Sequence, residues 1–143
     1  MAGKIHGSKG SIMITDGGGV LRDISADVTD ISGLPGTSEV ADSTGLGSTA
    51  KTFITGLNDV KFSLKGQYDD TALTGSHTVL TSIRGAGAKA FQYGPSGAVA
   101  ASGTVKITGS AIMTDYTVNS PIGGITSFSA SFQGSGDVTF GVF

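Results

Sequence analysis

The stretch Ser127-Phe128-Ser129-Ala130-Ser131-Phe132-Gln133-Gly134 alternates polar and apolar residues without a break. The alternation runs on, with Gly136, Val138, Phe140 and Val142 on the apolar parity and Ser135, Asp137 and Thr139 on the other. A period of two is that of a strand, whose successive side chains point to opposite faces of a sheet. One face is then buried and the other wet, as in antiparallel sheets. No proline interrupts the run, so a long strand that can hydrogen-bond at every position is expected over 127–142.

The same pattern recurs upstream. Val60, Phe62, Leu64, Gly66 and Tyr68 share one parity, and Lys61, Ser63, Lys65, Gln67 and Asp69 share the other. A third long strand is expected from Thr104 to Val118, where Val105, Ile107, Gly109, Ala111 and Met113 hold one parity and Ile112, Tyr116 and Val118 the other. The apolar face therefore switches near Ala111, which calls for a β-bulge there. Shorter strands are expected at Ile12–Thr15, Leu21–Ile31 (slipping at Asp30-Ile31), Ser38–Thr44 and Lys89–Tyr93. Gly66, Gly109 and Gly134 each fall on an apolar parity, where a strongly coiled sheet bends.

One segment has helical spacing. Val79, Leu80 and Ile83 make an i, i+1, i+4 stripe, Thr74 or Ser76 can cap its start, and Gly85 follows Arg84 at its end. The helix is expected over 76–84. The fold class is then mainly β, a β-sandwich or barrel of antiparallel strands with one short flanking α-helix, in a single domain over 1–143. Residues 1–10 read as an N-terminal arm. Residues 43–56 read as a long loop, polar but carrying Leu46, Phe53 and Ile54. Loops of that length in a compact domain are functional or disordered, and apolar side chains on one imply a partner surface.

Composition narrows the function. Gly, Ser and Thr make up about 41% of the 143 residues, yet mean hydropathy is positive and formal net charge is only −2, which is not the profile of a disordered chain. Nine bases against eleven acids leave no basic surface to grip phosphates. No cysteine is present, so there is no disulfide framework or thiolate metal site, which fits a reducing compartment or an assembly that needs no staples. No apolar run approaches 18 residues, and the first ten residues lack the apolar region of a secretory signal.

The search for catalysis returns little. His6 and His77 stand 71 positions apart, so they read as solvated or capping residues rather than metal ligands. Asp69 and Asp70 are adjacent on a strand end and point to opposite faces, which suits turn chemistry and not a carboxylate dyad. Asp23, Asp27 and Asp30 lack the spacing of a calcium loop. The string Gly45-Leu46-Gly47-Ser48-Thr49-Ala50 matches a dinucleotide fingerprint in letters, but no helical pattern follows it. No nucleophile elbow, P-loop or glycosylation sequon occurs. No cofactor, no metal and no enzyme activity are expected. A chain with long strands and few charges to blunt its edges is instead suited to pairing with other chains.

Two stretches carry a resemblance. Leu21-Arg22-Asp23-Ile24-Ser25-Ala26-Asp27-Val28-Thr29-Asp30-Ile31-Ser32-Gly33-Leu34-Pro35-Gly36 and the segment from Lys51 to Asp70 resemble the tail tube (major tail) proteins of long-tailed bacteriophages, and the pattern extends to Phe143. The resemblance implies a structural subunit, six of which form a ring. Rings stack into a hollow tube whose continuous inner barrel conducts DNA into the host. It implies that the 43–56 loop and the terminal arms reach neighbouring subunits or rings, with contacts at Leu46, Lys51, Phe53, Ile54, Leu57 and Phe143. Its implied partners are copies of itself, tail tip or initiator and terminator proteins, and a tape measure protein and DNA that pass without tight binding. No membrane partner is implied, and the location is the virion, after synthesis in the bacterial cytoplasm. Six copies at −2 each would repel DNA rather than hold it. The resemblance implies an acidic lumen, to which Lys61 and Lys65 on a polar strand face are an exception, so that face points outward or the lysines pair with neighbouring Asp. The competing reading is a non-catalytic β-sandwich module that binds or decorates a virion or cell surface.

Overall fold

In the computed structural model, which describes residues 4–99 and 102–143, the alternating runs become neighbours in one sheet. The strands are β1 (Ser11–Thr15), β2 (Leu21–Asp23), β3 (Val28–Ser32), β4 (Thr37–Asp42), β5 (Phe53–Asp59) and β6 (Lys61–Gln67), then, after helix α1 (Ser76–Ser82), β7 (Lys89–Gly94), β8 (Val105–Asn119), β9 (Ser127–Gly134) and β10 (Thr139–Val142). Every pairing is antiparallel, and the main sheet runs β2-β1-β7-β8-β9-β6-β3, with β10 beside β8. The ends of that path, β2 and β3, are joined by the turn at 24–27. Buried Ile24 there donates its N–H to the Ile12 carbonyl at 3.2 Å. The sheet is thereby curled round on itself.

The expected fold class holds: mainly β, antiparallel, with one short helix. The curl encloses Ile12, Ile14, Phe62, Leu64, Phe91, Phe128, Ala130 and Phe132, all of them apolar-parity residues. Phe62 stacks on Phe132 with ring centroids 4.8 Å apart and planes 6° from parallel, and Phe91 tilts against it at 4.8 Å. Such ring pairs add about 0.5–1.5 kcal/mol beyond burial of their area. The helix closes one flank with Val79, Leu80 and Ile83.

Two of the parity glycines are sites of close approach. A Cβ on Gly134 would lie 2.6 Å from the Val60 Cβ, and one on Gly66 would collide with the Asp27 carbonyl oxygen. Only hydrogen lets those backbones cross so near the core.

Several boundaries differ from expectation. The long C-terminal strand is two: β9 stops at Gly134, residues 135–138 step out through Gly136 at φ 94°, and β10 pairs with the other half of β8. The 21–31 stretch is also two strands. The β8 register shift falls between Met113 and Asp115, two residues past Ala111. The helix ends at Ser82, with Ile83 as its C-cap. Its N-cap is Gly75, and no local side chain caps it. Instead the Asp27 carboxylate accepts the Ser76 N–H at 3.1 Å. Of the expected N-terminal arm, Met1, Ala2 and Gly3 lie outside the described residues. Gly7–Lys9 form a 3₁₀ turn capped by the His6 ring, which accepts the Ser8 N–H at 3.1 Å.

Candidate assembly interface

Phe53 to Gly56, expected within a loop, begin strand β5. They pair with β4 as Phe53 to Asp42, Ile54 to Ala41 and Thr55 to Val40. The ladder is lengthened by Ser43 and Thr52, where the Ser43 N–H donates to the Thr52 carbonyl at 2.8 Å. The long loop is therefore a β-hairpin with a short polar tip. Its first strand was expected, at Ser38–Thr44; the second was hidden because neither face of β5 packs on the body, so no single apolar parity marks it. Val40 and Phe53 lie on one face, Ala41 and Ile54 on the other. A register shift between Ser38 and Val40 interrupts the ladder opposite Gly56 and Leu57.

This hairpin is exposed almost throughout. Leu46, Phe53, Ile54 and Leu57 are all open, Leu57 at 80% of its full surface, and Lys51 is exposed beside the tip. The structure thus brings five of the six expected contact residues onto one projecting element. Phe143 stands apart from them. It is half-buried on its own chain against Gly94, under the Lys106 ammonium at 5.4 Å. Its N–H and C=O are paired with Thr104 and Gly103. A two-stranded hairpin is marginal alone in water, and this one exposes apolar residues on both faces.

A second surface is the outer face of β3-β6-β9-β8. Cross-strand rows place Ser32, Ser63, Ser131 and Asp115 side by side, and next to them Asp30, Lys65, Ser129 and Thr117. Lys65 thus stands directly opposite Asp30, and the Lys61 ammonium is 3.7 Å from the Asp59 carboxylate. Both lysines lie on the wet face with acids as neighbours. This polar face has an unpaired edge on either side. β3 ends the sheet path, and β7 covers β8 only as far as Ala111, so 112–119, paired with β9 on one side, have no partner strand on the other among the described residues.

The remaining polar clusters serve the fold. Asp16 Oδ1 accepts the Gly18 and Val20 N–H groups, and Oδ2 accepts Arg22 Nε at 2.9 Å. These bonds hold its carboxyl below the usual range, the Val20 amide contributing most. Asp69 binds the Thr71 N–H and hydroxyl, the turn chemistry expected of it. Asp27 is pushed upward, first by burial. The Tyr116 hydroxyl meets His77 Nδ1 at 2.8 Å, and burial raises its pKa to about 12. Among the described residues no group of three or more His, Asp or Glu side chains is placed to hold a metal ion.

No family model matches the chain, and no curated protein matches it by sequence. Solved structures do match by shape. A subunit from the tail of an empty gene transfer agent particle, refined with C6 helical symmetry, superposes with a TM-score of 0.74 over 97% of this chain and 100% of that one, at 17% identity. A chain of the PVC extracellular contractile injection system, in its extended sheath-tube complex, gives 0.69 over 98% and 93%, at 15% identity. A chain of the anti-feeding prophage cap, which terminates the tube, gives 0.69 over 100% and 94%, at 14% identity. The chain has the tail-tube fold. The tail-tube resemblance read from 21–36 and 51–70 is thus shared by the whole backbone. The sequence reading left Ile122 and Ile125 out of account. Both are exposed in the β8–β9 loop, and the available signal was an isoleucine on either side of Gly123-Gly124, just after Pro121.

Proposed function

We propose that this chain is a structural, non-catalytic subunit of a phage-type tail, whose copies close into six-membered rings that stack into a hollow tube. It is made in the host cytoplasm and works in the virion as a conduit for DNA. One observation carries the reading: a four-stranded polar face with an open edge on each side. The strands of that face alternate in direction, so β3 runs opposite to β8. When copies are related by rotation about the tube axis, β3 of one meets β8 of the next antiparallel, the sense in which every other pair in the sheet is made. An even number of strands per copy lets such a ring close without a parallel seam.

Six copies of four strands give a barrel of 24. With strands about 4.8 Å apart and tilted by about 40°, its backbone diameter is about 48 Å. Side chains narrow that by roughly 10 Å, which still admits a double helix or a bundle of α-helices. The wall would be hydroxyls and amides, with Lys61 and Lys65 offset by Asp59 and Asp30. DNA would find no rows of unpaired cations to bind. Tip, terminator and tape measure proteins are the heterologous partners of such a tube. The hairpin is the element that crosses to a neighbouring copy.

The test is negative-stain microscopy of the concentrated protein, alone and with an initiator complex. Hollow tubes of constant width are expected. A chain that stays monomeric under both conditions would refute the proposal.

A further inference from the structure

The directions of the strands fix two ends of the body. β5 leads into β6 with only Val60 between them, so the hairpin projects from the end where β6 begins, beside Gln133 of β9. β6 ends at Gln67 opposite Ser127, where β8 also ends and β9 starts. The loop Ser120-Pro121-Ile122-Gly123-Gly124-Ile125-Thr126 therefore caps the opposite end. Seven residues of β6, roughly 23 Å of strand, separate the two.

That far end also carries exposed apolar surface. Ile122 is fully open and Ile125 two-thirds open. The loop is held in place from within, by Gly124 N–H to the Pro121 carbonyl and Tyr68 N–H to the Thr126 carbonyl at 2.9 Å. Its charged neighbours are Asp69 and Asp70, which follow Tyr68 directly. The only charge within the hairpin tip, 43–52, is Lys51. The hairpin strands also carry Glu39, Asp42 and Asp59, so what the two ends share is exposed apolar surface, with Lys51 at the tip as the one cation that Asp69 and Asp70 can meet.

We propose that the 120–126 loop, through Ile122 and Ile125, is the receiving surface for the hairpin of a second copy in the next ring. The inference rests on the tube reading and adds which surface receives the hairpin. Contact between unlike ends of identical chains is heterologous, so it propagates as an open stack rather than closing on itself. Lys51 is set against Asp69 and Asp70 of the receiving copy, and Leu57 is covered together with the two isoleucines.

The chain has no cysteine, so an engineered pair reports this contact without background. The variant carrying both Leu57→Cys and Ile122→Cys is assembled under reducing conditions, imaged, and then oxidised. The two positions sit at opposite ends of one copy, far beyond the reach of a disulfide within it. The expected result is a ladder of linked chains on a denaturing gel that runs well past six, lost on reduction. Tubes that form but give no ladder overturn the contact while leaving the tube reading intact. A ladder that stops at the ring size also overturns it, since the hairpin then meets a neighbour in its own ring. If the unsubstituted chain forms no tubes, the tube reading fails and this contact with it.

Discussion

The body and the β4–β5 hairpin are built from the same kinds of residue and do opposite things with them. In the body, Phe62 and Phe132 are buried and stacked; in the hairpin, Phe53 is 55% exposed. Both regions are antiparallel ladders with good hydrogen bonds. The difference lies in what covers the faces. The body curls until its apolar face meets itself, whereas the hairpin has two faces and one layer. Backbone pairing alone contributes little net stability, since water competes for the same groups. The hairpin has no apolar core of its own, while the body has one.

That contrast predicts a separation of effects. Phe62→Ala removes the central ring of the Phe91–Phe62–Phe132 stack. It should cost about 3–5 kcal/mol of stability, read as a lowered urea midpoint with an unchanged slope. A shift below about 1 kcal/mol would mean that the core repacks freely and that the body is not the rigid partner in this pair.

The paired substitution Phe53→Ser and Ile54→Ser should behave in the reverse way. Both side chains are exposed, so the monomer's stability should stay within about 0.5 kcal/mol. Tube growth, followed by microscopy or light scattering, should stop. Normal tubes from this variant would remove the hairpin from the interface. A large loss of monomer stability would show that the hairpin packs on its own body.

The same contrast explains what could be read from the sequence. β6 and β9 were legible because one face of each is buried and the parity records it. Parity records faces, not pairing, so the break between β9 and β10 left no mark: residues 136–138 keep the alternation while leaving the ladder, after a last bond from the Ser135 N–H to the Ser110 carbonyl. Of the hairpin, β4 was legible as the strand expected at Ser38–Thr44, while β5 was invisible as strand for the opposite reason, since Phe53 and Ile54 are adjacent apolar residues on a ribbon with no buried face. The proposal that it is a contact surface could still be drawn from Leu46, Phe53 and Ile54 among polar neighbours. The helix cap was beyond local reading, because Asp27 lies 49 positions from Ser76. Phe143 reads as a terminal arm from its position alone. What places it against Gly94 is a glycine on another strand with room for a ring.

The smallest effect tests the contrast most finely, because it compares two carboxylates with the same local chemistry. Asp16 in the body and Asp42 in the hairpin both accept hydrogen bonds from nearby groups, Asp16 chiefly from the Val20 amide and Asp42 chiefly from the Thr44 hydroxyl. Both therefore sit below the usual value of 3.8. The sign is fixed by linkage. A depressed folded pKa means that the unfolded chain takes up its proton first, so the stabilisation is complete above 3.8. It is lost as pH falls through the lower folded value. Asp16 also binds Arg22 at 2.9 Å and closes a turn between two strands of the curled sheet, so its bonds break only when the body unfolds. Asp42 closes a hairpin that opens without disturbing the core. Asp16→Asn should therefore lower the thermal midpoint at pH 7, and the gap from the unsubstituted protein should shrink as pH drops below about 4. Asp42→Asn should leave the midpoint unchanged at every pH. If Asp42→Asn lowers the midpoint as much as Asp16→Asn, the hairpin belongs to the body's cooperative unit, and the division drawn between the two regions is wrong.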